Sequence, residues 1–293
     1  MKATINNYLS LVKFSHTIFA MPFALIGFFL ATHFSTVSLS FSQLVIKFLL
    51  VVLCMVFARS AAMAFNRYLD RKFDARNPRT AIREIPTGII TEKNALIFVI
   101  ANCILFFAAT FFINKICFFL SPVALFVVLF YSYTKRFTWF CHLVLGLGLS
   151  LAPIGAYLAV TGKFDLLPVL FSLTVLCWVS GFDIIYALQD AAFDKANDLY
   201  SIPSVLGKSK ALRVSEFLHL LSAAGVIAAG FYGNFGWIYW IGVCFFILLL
   251  IYQHTLVKPD NLSKVNLAFF TTNGIASVIF CIFVLLDLFL IKK

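Results

Sequence analysis

Charged residues interrupt this chain at only a few points. Between them lie nine apolar runs of roughly membrane-spanning length: residues 17–34, 44–65, 95–113, 116–134, 142–160, 166–187, 212–230, 236–256 and 266–290. The pattern predicts an all-α polytopic membrane protein, a bundle of nine transmembrane helices. The third and fourth runs are separated only by Asn114-Lys115. Lys2 and Lys13 precede the first run, as they would in a signal peptide, but no small-residue cleavage pattern follows it, so it reads as a retained helix. No soluble domain, low-complexity tract or short-period repeat interrupts the pattern, and residues 1–293 read as a single transmembrane domain.

Composition agrees with this reading and changes how the charge is understood. A 62% hydrophobic content, 12% charged residues and a mean hydropathy of +0.99 exclude an ordinary soluble domain. A net charge of +11 would suggest nucleic acid for a soluble chain; here it is a matter of topology. With a cytoplasmic N-terminus, that side carries Lys2, Lys13, seven Lys or Arg between 67 and 93, Lys135, Arg136, four between 195 and 213, Lys258 and Lys264, seventeen in all. The other side carries five: Lys47, Lys115, Lys163, Lys292 and Lys293. The positive-inside rule then places the polar loops in the cytoplasm and the chain in the cell's inner (plasma) membrane, with some added attraction to anionic lipid heads. Neither nucleic acid nor a protein partner is implied. The seven cysteines all lie in apolar runs without a C-x-x-C pair, which favours packing over metal or redox roles.

The candidate chemistry sits after the second and sixth runs. Asn66, Asp70 and Asp74 are four apart, so on a helix each is turned about 40° from the last and all three share one face. Asp190, Asp194 and Asp198 repeat the spacing. The chain has twelve acidic residues; these rows hold five, and Asp183 makes six. Clustered carboxylate and amide oxygens suit Mg²⁺, which is usually held by one or two carboxylates plus substrate phosphate oxygens. Ordinary helix-end charges would explain one such row, but explain two poorly. Arg59, Arg67 and Arg83 accompany the first row, while Tyr131 and Lys135 stand one turn apart and can reach one ligand. An interfacial aromatic belt and a positive-inside anchor are the plainer readings of that pair.

These residues resemble the UbiA superfamily of intramembrane aromatic prenyltransferases. The family's N-x-x-x-D-x-x-x-D matches Asn66, Asp70 and Asp74, with Arg59 seven residues earlier; R-x-x-P-x-G matches Arg83, Pro86 and Gly88. Y-x-x-x-K-R matches Tyr131, Lys135 and Arg136, and Y-A-x-x-D-x-x-x-D matches Tyr186, Ala187, Asp190 and Asp194. The chain departs from the commonest first motif in carrying Arg67 where many members have Asp. The segments 58–67 and 77–80 look more like the branch tied to menaquinone synthesis by the futalosine route, which is grouped with 4-hydroxybenzoate polyprenyltransferases.

The resemblance implies Mg²⁺-dependent transfer of a polyprenyl chain from its diphosphate to the ring of an aromatic acid, in respiratory quinone synthesis, through an allylic cation. Asp70, Asp74, Asp190 and Asp194 would be catalytic and, with Asn66, would hold the metal. Arg59, Arg67, Arg83, Tyr131, Lys135, Tyr186 and Asp198 would bind substrate, with Arg59 orienting the acceptor's acid group or merely pairing with an Asp. A secondary transporter is the alternative from another class, but its sites tend to lie at the bilayer midplane on broken helices. Only Gly146, Gly148, Pro153 and Gly155 suggest such a break. Haem, chlorophyll and lipid acceptors are further alternatives within the family. The five histidines show no metal-site spacing and read as interfacial or packed; His16 could contact the acceptor.

Overall fold

The computed structural model describes residues 2–12, 21–34, 37 and 39–291. His16, and the beginning of the first predicted span, lie outside the described residues. The helices are α1 (Lys2–Leu11), α2 (Met21–Phe34), α3 (Phe41–Asp74), α4 (Glu92–Ile113), α5 (Lys115–Thr134), α6 (Cys141–Thr161), α7 (Leu166–Ala187), α8 (Ala191–Ala196), α9 (Ile202–Leu206), α10 (Lys208–Tyr232), α11 (Trp237–Leu256) and α12 (Asn273–Leu290). A π-helical segment, Leu267–Thr272, leads into α12. Among the described residues eight helical segments are long and apolar enough to cross a membrane, and α2 is a shorter apolar ninth.

Most boundaries fall within a few residues of the hydropathy pattern. The exception is α3, which continues through polar sequence to Asp74 and reaches 34 residues, about 50 Å. That exceeds a hydrocarbon core of roughly 30 Å, so its last turns carry Asn66, Asp70 and Asp74 on a regular helix. Ser40 starts it with a capping box, its hydroxyl accepting from Gln43 N while the Gln43 side chain accepts from Ser40 N. The short helices α1, α8 and α9 are absent from the hydropathy reading because none is an apolar run of spanning length.

The bundle is built on α6 against α7, α7 against α10, α3 against α4 and α2 against α6. Two close approaches depend on glycine. A side chain at Gly27 would meet the Pro153 carbonyl at 2.0 Å, and one at Gly146 would meet Ser180 Oγ at 2.3 Å. Gly146 is thus a packing residue, and α6 runs without interruption past Pro153, contrary to the midplane break a transporter reading expects. Trp178, Phe23, Phe246 and Phe280 form the buried aromatic centre, with Trp178 Nε1 donating to Asn273 Oδ1 at 3.0 Å. At one end of the bundle, Lys47 Nζ donates to the carbonyls of Ile113 and Ala159, and Asn114 Nδ2 donates to those of Leu158 and Ala159. These bonds satisfy the carbonyls that terminate α4 and α6. The other end collects the C-termini of α3, α5 and α7 and holds the chemistry.

Candidate active site

A cavity of about 160 Å³ opens among the ends of α3, α5 and α7, the start of α6 and the 75–91 connection. Its wall includes Asn66, Asp70, Asp74, Arg79, Arg83, Tyr131, Lys135, His142, Asp183, Tyr186, Asp190 and Asp194. Four of its carboxylates are each held by a different cation. Asp70 Oδ1 accepts from Arg136 Nη2 at 2.9 Å and Asp74 Oδ1 from Arg83 Nη1 at 2.7 Å. Asp194 Oδ2 lies 2.9 Å from Lys135 Nζ, and Asp190 takes a two-pronged contact from Arg79. Such forked pairing fixes direction as well as charge.

The 75–91 connection delivers two of these cations. It leaves α3 at Ala75, where Thr80 Oγ1 donates to the Asp74 carbonyl, and crosses to α7. There Asn77 Nδ2 donates to Asp190 Oδ1 at 3.2 Å and Arg79 Nη1 to the Tyr186 hydroxyl at 2.9 Å. Gly88, at φ +77°, turns the chain towards α4 in a conformation that costs glycine little. Asn66 Nδ2 donates to Asp70 Oδ2 at 3.2 Å, so the first row is internally linked as its spacing predicts.

The second row is built differently. After Ala187 the chain tightens into a 3₁₀ turn over Leu188–Asp190, resumes as α8, and ends before Asp198, whose φ is +53°. Asp190 and Asp194 stay on the cavity wall; Asp198 is exposed and does not line it. The cavity thus keeps two of the row's three carboxylates, one from the 3₁₀ turn and one from α8 in place of a single helix face. Arg67 and Arg59 are likewise off the wall. Arg67 is buried with Nη1 unpartnered, the buried Nε of Arg59 makes no hydrogen bond, and among the described residues the ion pairs of both rows go to other cations.

Electrostatics explains why Lys135 stays charged. Burial alone would lower its pKa, but the Asp194 carboxylate outweighs this and raises it above the ordinary 10.5. Arg79 shows the same balance, with burial opposed and exceeded by Asp190. Asp194, 2% exposed, also accepts from Ser201 Oγ at 2.9 Å. Hydropathy and motif reading missed Arg79 and the pairing of His142 with Asp183. The sequence signal for Arg79 was its position in a basic loop, which does not distinguish it from its neighbours.

The sequence pattern of the UbiA prenyltransferase family matches residues 20–275. A 4-hydroxybenzoate octaprenyltransferase of Nitrosospira multiformis is 31% identical over 233 residues, 79% of this chain and 80% of that protein. One of Francisella tularensis subsp. mediasiatica is 29% identical over 78% of this chain and 81% of its own length. Among solved structures, a UbiA homolog from Aeropyrum pernix K1 superposes with a TM-score of 0.82 at 30% identity, covering 93% of this chain and 98% of that one. A UbiA homolog from Archaeoglobus fulgidus bound to DMAPP and Mg²⁺ shares the fold, with a TM-score of 0.75 at 20% identity over 97% of this chain and 100% of its own.

Proposed function

The chain belongs to the UbiA prenyltransferase family, and on that premise we propose that it transfers a polyprenyl chain from polyprenyl diphosphate to the ring of an aromatic acid, with 4-hydroxybenzoate the acceptor its relatives' names favour. The observation that carries this reading is the set of four carboxylates, each with its own cation, around one cavity at the end of a membrane bundle. A diphosphate needs cations, and a polyprenyl tail needs lipid. The site end of the bundle offers both.

An oxygen-only donor set suits Mg²⁺, and Asp74 Oδ2 is buried without a hydrogen-bond partner, an unsatisfied oxygen a cation would fill. Among the described residues no three His, Cys, Asp or Glu side chains already form a metal cluster, because the carboxylates face arginine and lysine. Asp70, Asp74, Asp190 and Asp194, with Asn66, would hold the metal, which when bound would neutralise the leaving diphosphate. Lys135, Arg79 and Arg83 are placed to turn from their carboxylates to the diphosphate oxygens and stabilise the charge that develops as the allylic C–O bond breaks. Tyr131 and Tyr186 line the cavity, and an aromatic ring attracts a nearby cation through its quadrupole. The acceptor ring attacks the allylic carbon and then loses a proton.

We place this end of the bundle in the cytoplasm, because seventeen Lys or Arg accompany it against five on the other side. Protein purified in detergent, given Mg²⁺, a radiolabelled polyprenyl diphosphate and a panel of aromatic acids, should yield a prenylated acid, and EDTA should stop the reaction. No labelled product with any acid, alongside intact diphosphate binding, overturns the proposal. Cysteines introduced near Asn77 should be labelled only after the membrane is permeabilised; labelling from outside intact cells would reverse the orientation.

A further inference from the structure

Five carboxylates line the cavity, and only four are held by an arginine or lysine. The fifth, Asp183, has a histidine: His142 Nδ1 lies 2.6 Å from Asp183 Oδ2. His142 is 1% exposed, and the Ile202 backbone N–H is directed at its Nε2 at 3.4 Å. A backbone N–H can only donate, so Nε2 accepts and the ring proton sits on Nδ1, aimed at the carboxylate. Among the described residues Asp183 Oδ1 has no hydrogen-bond partner, and the side chain lines the cavity and keeps 21% of its surface exposed.

Asp183 stands seven residues before Asp190 on nearly the same face of the chain, and so roughly 10 Å deeper in the bundle. The cavity thus has two levels. Cation–carboxylate pairs occupy the rim, where a diphosphate must lie. The floor holds a carboxylate steadied by an imidazole N–H. A guanidinium or ammonium at that place would hold the carboxylate in a full ion pair and weaken it as a base, whereas an imidazole N–H fixes its direction and leaves its charge.

Resting on the prenyl-transfer reading above, we propose that Asp183 is the general base of the reaction and that His142 is its positioning residue. As the allylic C–O bond breaks, its electron pair leaves with the diphosphate, and ring π electrons form the new C–C bond. The electrons of the C–H bond at that ring carbon then restore aromaticity, and the proton passes to Asp183 Oδ1. Asp183 leaves the diphosphate to the rim residues and acts only on the acceptor.

The test compares wild type with Asp183→Asn, using polyprenyl diphosphate, Mg²⁺ and 4-hydroxybenzoate either unlabelled or deuterated on every ring carbon. Asp183→Asn should lower kcat by about 10²–10⁴-fold, leave the KM for polyprenyl diphosphate within about twofold, and show a primary isotope effect absent from wild type, because loss of the ring proton becomes rate-limiting. A merely structural role would produce no isotope effect. His142→Leu should show the same signature and carries the test if Asp183→Asn fails to fold; His142→Gln, which keeps an N–H donor, should lose less. Wild-type kcat in Asp183→Asn, or slowing without an isotope effect, overturns the assignment while leaving prenyl transfer intact. Absence of any transfer by wild type would instead overturn the functional reading itself.

Discussion

On α3 the residues Asn66, Asp70 and Asp74 stand on an unbroken helix, while Asp190, Asp194 and Asp198 pass through a 3₁₀ turn, a six-residue helix and a left-handed residue. The spacing in sequence is the same. The first row links to itself through Asn66 and Asp70 and takes its cations from α5's end and its own following loop. Both cations of the second row, Arg79 and Lys135, come from more than fifty positions away, as does the first row's Arg136. A spacing of four fixes the angle between side chains only while the helix continues. Where it stops, long-range ion pairs decide which members stay at the site.

The largest expected effects are on turnover. Asp70→Ala and Asp190→Ala should each reduce prenyl transfer by roughly two to three orders of magnitude, despite their different backbone settings. Near-normal turnover in a folded Asp190→Ala protein, measured with labelled polyprenyl diphosphate, would show that only the helical row matters. Next in size is stability. Lys135→Met leaves Asp194, with a side chain 3% exposed, without its cation, and should cost about 3 kcal/mol in detergent unfolding. Arg136→Met strips a carboxylate that is 25% exposed and should cost about 1 kcal/mol or less. Equal losses would mean that the two rows are equally dry.

The pH dependence of the Lys135 effect is a finer measure. The folded-state pKa of Lys135 lies above 10.5, so its stabilising contribution is complete below that value and disappears as pH rises through the folded pKa. The gap in Tm between wild type and Lys135→Met should therefore be flat from neutrality to about pH 10 and close above it. A gap that narrows near pH 8 would show that the ammonium is destabilised instead. The smallest effect belongs to Asp198. Asp198→Gly removes the carboxylate while suiting the left-handed backbone, and turnover should stay within about twofold. A hundredfold loss would return Asp198 to the site.

The spans were legible because lipid imposes a length and a composition on each helix, and the end of α7 at Ala187 falls where hydropathy alone puts it. The motif residues Asn66, Asp70, Asp74, Arg83, Tyr131, Lys135, Tyr186, Asp190 and Asp194 do meet around one cavity. His142 was not legible. Its sequence neighbours are apolar, and its chemistry comes from Asp183 on α7 and the Ile202 N–H at the start of α9, 41 and 60 positions away. Arg59 stands two turns before Asn66 on α3, so its motif position gave its helix face but not whether it reaches the cavity wall.

By itself the sequence determined which segments cross the membrane, which end carries the polar loops, and which oxygen and nitrogen groups are available there. These follow from hydrophobicity and from angles along a single helix, both local properties. Only the tertiary structure decided that Arg79 takes Asp190, that Lys135 takes Asp194, that Asp183 receives a histidine in place of an arginine or lysine, and that Asp198 stays off the cavity wall. Each of these choices depends on the packing of helices far apart in the chain, where burial makes an unpaired charge costly and leaves each carboxylate to the partner that packing brings within reach.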